Sequence, residues 1–287
     1  MEHRLNRESI DLFEAHLLKE EKAEATIRKY LRDIRSFFSF LDQREDRGDK
    51  DFISKETVIA YKEMLIKRFK PASVNSMLVA LNCFLRFLGL GACVVRLLKI
   101  QRELFCPDER ILSRREYMKL INVAKKSNKQ RTMMIMETLG STGMRVSELA
   151  FVTVDALKKG YITLRSKGKV RKILLPRKLC LKLKSYAASL GIRAGAVFIT
   201  RTGKNMNRSN IWLDLKKLCR SAGVAKEKVF PHNFRHLFAL TYYALEKDIA
   251  KLADVLGHSS VNTTRIYIID TGAEHRRLLE RLDMIPE

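Results

Sequence analysis

From Ile10 to Leu88 the large apolar side chains return every three or four residues. That is the period of a helix with one buried face, and it leaves this part of the chain little room for a sheet. Ile10, Phe13 and Leu17 mark a first helix, and Ile27, Tyr30, Leu31, Ile34, Phe38 and Leu41 a second. Val58, Tyr61 and Leu65 mark a third, and Val74, Met77, Leu78, Leu81, Leu85 and Leu88 a fourth. Ser54 stands where an N-cap is expected, and Pro71 where a first helical turn tolerates a missing N–H. Four helices on short connections predict a small bundle over residues 1–100, with the aromatic stripe as its core.

The pattern then breaks. Residues around Arg96 to Arg110 read as a linker, placed at 101–111, with Pro107-Asp108-Glu109 inside it. Ser113 with Glu116 forms a capping box that opens a helix carrying Tyr117, Leu120, Ile121 and Ala124. A further helix fits Met133 to Leu139, with Gly140 as its end. Strand character is brief: Tyr161 to Arg165 and Val170 to Leu175 flank a turn at Ser166-Lys167-Gly168-Lys169, and Pro176 stops the second strand. The rest reads as helix. The expected fold class is therefore mainly α: a helical bundle, then a mostly helical domain over 112–287 with a small antiparallel sheet.

Charge divides the same way. Residues 1–100 hold 19 basic and 15 acidic side chains, whereas residues 101–287 hold 37 and 17. Between Lys158 and Arg220 there are 18 basic residues and one acid, Asp214. A polyanionic partner is the simplest reason for a folded domain to carry such self-repulsion. Several classes are not expected. No apolar run reaches the ~18 residues of a membrane span, and the first residues lack a signal-peptide core. Five cysteines without CxxC spacing read as reduced structural thiols of a cytoplasmic protein. No zinc pattern and no phosphate loop stand out, so chemistry without cofactor, metal or ATP is expected.

Three separated segments carry side chains suited to phosphate. In the first, Gly140 to Leu149, a Thr142-Gly143 corner opens a helix with Arg145 on its first turn, and Glu148 follows three residues later. A guanidinium and free N–H groups directed at one place suit an anion, although an Arg–Glu pair is by itself an ordinary surface contact. In the second, Pro231 to Ala239, His232 and Arg235 share a helix face. His236, one residue on, reads as a satisfied core histidine. In the third, Leu256 to Tyr267, Gly257 ends one helix, Ser259 to Thr264 caps and opens another, and Tyr267 follows. A tyrosine there becomes a credible nucleophile only with cations close by.

Taken in order, T-G-x-R-x-x-E-L, H-x-x-R-H and L-G-H-x-x-x-x-T-T-x-x-Y resemble the tyrosine recombinase (phage integrase) family, most closely its compact Xer-type members. The resemblance implies a SAM-like core-binding domain followed by a DNA breaking–rejoining domain. It implies that Arg145 and Arg235 clamp the scissile phosphate, that His232 and His258 complete the pocket, and that Tyr267 is the nucleophile. Lys167, with Lys169, Arg171 and Lys172 close by, resembles the mobile lysine that protonates the leaving oxygen, and Glu148 an acid that orients the first arginine. Two departures, Phe234 for the usual leucine and Ile268-Ile269 after the tyrosine, remove no reacting group.

The implied activity is site-specific strand exchange in double-stranded DNA through a 3′-phosphotyrosyl intermediate. The apolar face of residues 274–287 (Leu278, Leu279, Leu282, Ile285) is expected to dock on a neighbouring protomer of a dimer or tetramer in synapsis. With the bundle beginning by about Ile10, no further N-terminal DNA-binding domain is expected. A DNA-binding protein that does not cut, and a type IB-like topoisomerase, are the alternatives.

Overall fold

The helical repeat of the first hundred residues becomes four helices: α1 (Arg7–Lys19), α2 (Glu24–Asp42), α3 (Lys55–Arg68) and α4 (Pro71–Phe87). These come from a computed structural model that describes residues 7–43, 53–100, 111–166, 169–267 and 281. The expected linker at 101–111 (apart from Ile111), Lys167 and the 274–287 tail (apart from Arg281) lie outside those residues. The chain divides into two units, residues 1–102 and 103–287.

In the first unit, α1, the front of α2 and the end of α4 close around Phe13, Leu17, Leu31, Ile34 and Phe84. Phe37 on α2, with α3 and the rest of α4, closes around Val58, Tyr61, Leu65, Leu78 and Leu81. Ser54 caps α3 by accepting from the Thr57 N–H, and Pro71 occupies the first turn of α4. Two asparagines on one face of α4 then strap the following segment. Asn82 donates to the Val95 carbonyl and accepts from the Val95 N–H, at 2.8 and 3.1 Å. Asn75 does the same for Leu98 at 2.9 and 2.7 Å. A buried amide that completes both bonds to an irregular strand satisfies backbone groups that would otherwise be orphaned.

The second unit begins with α5 (Arg114–Lys126), whose Ser113–Glu116 capping box forms as the sequence predicts. α6 (Gln130–Thr142) packs against α5, and around it lie α8 (Arg177–Ser189), α9 (Arg208–Ala222) and α10 (Pro231–Glu246). Its polar residues Thr138 and Thr142 are buried because each hydroxyl donates to the carbonyl four residues earlier, at 2.7 and 2.6 Å. The helix does not stop at Gly140. It runs to Thr142, and Gly143 takes the left-handed conformation (φ 62°) that ends it. Gly140 is instead a packing position, where a Cβ would lie 3.1 Å from the Tyr117 ring.

After Gly143 the chain turns through a 3-10 helix (Val146–Phe151), with Arg145 at its cap rather than in a first α-helical turn. α7 (Val154–Lys159) leads into strands β1 (Tyr161–Ser166) and β2 (Lys169–Leu174), paired antiparallel with Ser166 opposite Lys169. The ladder thus runs further into the hairpin than the four-residue turn expected, and Leu175 lies outside it. α11 (Ile249–Leu256) ends at Gly257, and Ser260 caps the short α12 (Val261–Arg265). A single apolar core runs from Leu112 and Leu139 through Ile162, Ile173 and Leu183 to Phe234. Ala239, Leu252, Leu256 and Tyr267 form a smaller cluster beside it.

Candidate active site

Arg235 is the hub. It is 1% exposed on α10, where helical spacing ordinarily places an apolar residue. Its Nη1 donates to the Gly143 carbonyl at 2.5 Å and its Nη2 to the Leu256 carbonyl at 2.8 Å. Both carbonyls belong to glycine-marked helix ends, whose last C=O groups lack intrahelical partners. The same Nη2 lies 2.8 Å from His258 Nε2. Nε is buried with no hydrogen-bond partner among the described residues.

Tyr267 follows α12 and is 7% exposed. Its ring stacks on His258 at 5.3 Å, with the His232 ring also at 5.3 Å and His236 at 5.7 Å. The Arg235 guanidinium sits 5.8 Å from the ring centre. His258 is oriented from behind, its Nδ1 2.9 Å from the hydroxyl of the fully buried Thr264. The second threonine of the motif thereby fixes which face of the imidazole meets Tyr267.

Arg145 approaches from the end of α6. Its own N–H donates to Glu148 Oε2 at 2.7 Å, and its Nη1 to Oε1 at 3.1 Å. Glu148 also accepts from Arg171 on β2 at 2.9 Å. One carboxylate therefore serves two guanidiniums, and Arg235 is held by carbonyls and a histidine.

The histidines reflect this excess of positive charge. Desolvation, then Arg235, Arg145, Arg171 and His232, lower the His258 pKa to about 4. His232 is exposed on its outer side. Desolvation of its inner side, followed by the charges of Arg235, Arg208 and Arg145, still lowers its pKa. Burial and then His232 lower His236. All three shifts favour the neutral ring. An anion in the pocket would reverse the electrostatic part of each shift.

Of the residues singled out in the sequence, Arg145, Glu148, His232, Arg235, His258 and Tyr267 meet in this pocket, and Lys167 is outside the described residues. His236 is not a fully satisfied core histidine. A backbone bond with Ile266 holds its ring against Tyr267, but its Nδ1 is buried without a partner among the described residues. Arg171 does not stand out in the sequence from the basic residues around it. The signal that could have found it is strand alternation, which sets Arg171 on the opposite face from Val170 and Lys172.

The arrangement presents two guanidiniums and three imidazoles around a phenol, which suits attack on a phosphodiester. The model of the phage integrase family matches residues 110–273, and that of the family's N-terminal SAM-like domain matches residues 10–89. Tyrosine recombinase XerA of Pyrococcus furiosus is 30% identical over 99% of this chain and 97% of its own length. Tyrosine recombinase XerD of Listeria innocua is 28% identical over 90% and 92%. A crystal structure of XerA recombinase, 27% identical, superposes over 98% of this chain and 99% of that one with a TM-score of 0.52. A lambda integrase dimer bound to a core site shares the fold at 19% identity, with a TM-score of 0.72 over 94% and 78%. With both family models in register along the sequence and a full-length relative at this identity, the chain belongs to the phage integrase family and is a site-specific tyrosine recombinase.

Proposed function

We propose that the chain cuts and rejoins double-stranded DNA with Tyr267 as nucleophile, and that residues 112–287 carry the chemistry while residues 1–100 grip the core site. The observation that carries this is the clustering of the Tyr267 ring with His258, His232 and Arg235, all within 5.3 to 5.8 Å. The Tyr267 oxygen gives its proton to an imidazole of the cluster and attacks the scissile phosphorus, a 3′-phosphotyrosyl bond forms, and the bond from phosphorus to the 5′-oxygen breaks. Arg145 and Arg235 stabilise the charge gathered on the non-bridging oxygens, a donor role worth ~10²–10³ in rate each. His258 and His232 line the same oxygens, and Lys167 delivers a proton to the departing 5′-oxygen, a step worth ~10²–10⁴. The covalent link conserves the bond, so a second 5′-hydroxyl reverses the step and exchanges strands.

The excess of 37 basic over 17 acidic side chains in residues 101–287 supplies the attraction for phosphate. The structural neighbours include a lambda integrase dimer on DNA and a tetramer on a Holliday junction. Self-association on DNA, with residues 274–287 as the docking element, follows from the same reading.

The test is covalent trapping. Wild-type chain incubated with random-sequence duplexes and quenched in detergent should retain DNA through Tyr267, and the retained sequences give the site. Tyr267→Phe should bind that site as tightly and retain nothing. An adduct that persists in Tyr267→Phe would move the nucleophile to another tyrosine, with Tyr242 and Tyr243 the first to examine.

A further inference from the structure

β2 keeps to the apolar-inward rule of a half-buried strand only in part. Val170 and Leu174 lie outward, 63% and 74% exposed. Lys172 lies with them, its amine 5.0 Å from the ring of Tyr161 on β1. Ile173 and Arg171 face inward. Ile173 enters the core, while Arg171 buries a guanidinium whose side chain is 16% exposed. Burying a charge is costly unless specific partners receive it.

Two oxygens receive it and Gly257 leaves room for its stem, each beside the pocket, while Nε is buried with no hydrogen-bond partner among the described residues. Nη1 donates to Glu148 Oε1 at 2.9 Å, the oxygen that also accepts from Arg145. Nη2 donates to the Val255 carbonyl at 3.0 Å, in the last turn of α11. The stem fills the space beside Gly257, where a Cβ would lie 2.2 Å from Arg171 Cδ and 2.3 Å from Nε. Gly257 directly precedes His258, and β2 begins at Lys169, two residues after Lys167.

We infer that Arg171 is a positioning residue that sets Arg145 and His258 relative to one another and keeps Glu148 from neutralising Arg145. The inference rests on reading the Tyr267 pocket as the cleavage site. Electrostatics gives it a direction. Glu148 carries one negative charge. Shared between two guanidiniums, it leaves Arg145 with cationic character to offer a phosphate. Without Arg171, both carboxylate oxygens serve Arg145 alone, and the last turn of α11 loses the bond that fixes its distance from the 3-10 helix. A group displaced by ~1 Å costs about 10² in rate.

The experiment measures covalent adduct formation on a nicked duplex carrying the site recovered by trapping, at saturating protein, with DNA affinity measured separately. Arg171→Ala should bind the duplex like the wild type and form adduct about 10²-fold more slowly. Arg171→Lys, which keeps the charge and loses the fork, should recover part of that rate. In a Glu148→Gln background, Arg171→Ala should cost much less than it does alone, because the two act through one contact. A wild-type rate for Arg171→Ala, or losses that simply add with Glu148→Gln, overturns the inference. If Arg171→Ala shows no cooperative melt, Arg171→Lys decides: intact binding with slowed cleavage supports the inference, and wild-type cleavage overturns it. Failure of the wild type itself to form an adduct at Tyr267 would instead remove the reading beneath it.

Discussion

Gly143 should not accept even a methyl group, whereas Gly140, three residues earlier, should. At Gly143 the backbone is left-handed, with φ at 62°. Holding an L-residue there costs ~1–2 kcal/mol. The added Cβ would lie 2.3 Å from Phe238 Cδ1 and 2.8 Å from Cε1, where ordinary contact begins near 3.4 Å. Relieving this overlap needs a movement of about 1 Å, and such overpacking costs ~1–3 kcal/mol. The sum, ~2–5 kcal/mol, is a large part of the ~5–15 kcal/mol that holds a typical domain together. With a urea slope of ~2 kcal/mol per molar, the unfolding midpoint of Gly143→Ala should fall by ~1–2.5 M. The rate should suffer as well. The Gly143 carbonyl holds Arg235 at 2.5 Å, and Arg145 follows two residues on, so a ~1 Å shift predicts an adduct rate about 10²-fold lower at temperatures where the variant is folded. Gly140→Ala is the control. It lies inside α6, its Cβ meets the Tyr117 ring edge at 3.1 Å, and the ~1 kcal/mol gained in helix propensity offsets that tight contact. Urea titration and the trapping assay on both variants give the comparison. A reversed order of stability, or wild-type midpoint and rate for Gly143→Ala, would refute the reasoning.

Two further predictions concern protons. His258 has its pKa lowered to about 4 in the folded protein, whereas an unfolded histidine titrates near ~6.5, so between those values the unfolded chain binds more protons. Stability should therefore be complete above pH ~6.5 and fall as pH drops toward ~4, with a shallower slope in His258→Gln; equal slopes in urea titrations would remove His258 as the source. For Lys167, replacing the bridging 5′-oxygen of the substrate by sulfur gives a leaving group that needs no proton, so Lys167→Ala should cleave that substrate nearly as fast as wild type while Arg145→Ala and Arg235→Ala stay slow. If sulfur rescues Lys169→Ala or Lys172→Ala instead, another lysine is the acid.

Much of the bundle was legible because each helix shows its buried face in its own sequence. Ile27, Leu31, Ile34 and Phe37 need no distant partner to reveal their side of α2. Caps such as Ser54 and Ser113 act within three residues and are equally local. The cluster around Tyr267 was legible for another reason: its members fall in short motifs whose order could be matched as a set. What failed to show was decided by partners far away in sequence. Gly140 and Gly143 both read as helix ends, and only Tyr117 and Phe238 distinguish them. Arg171 stands among lysines, and its strand places valine and leucine outward, so the usual rule of apolar residues inward points the wrong way. His236 reads as a core histidine because burial is visible from Leu237 and Phe238 beside it, but a nitrogen left without a partner among the described residues is not.

The Glu148 carboxylate shared by Arg145 and Arg171, with Arg235 held by carbonyls and His258, also bears on how this protein can change. A second acid placed among these arginines would relieve repulsion in the free chain and make the fold more robust. It would also compete with the phosphate for the same guanidiniums. If the proposed cleavage role holds, selection for hardiness and selection for that role pull this pocket in opposite directions. Variants that gain stability without losing turnover must find it elsewhere, in the packing around Leu139, Leu183 and Phe234 or in the straps on α4. A homologue that has acquired an extra acid beside Arg235 should be a better-behaved protein and a poorer enzyme.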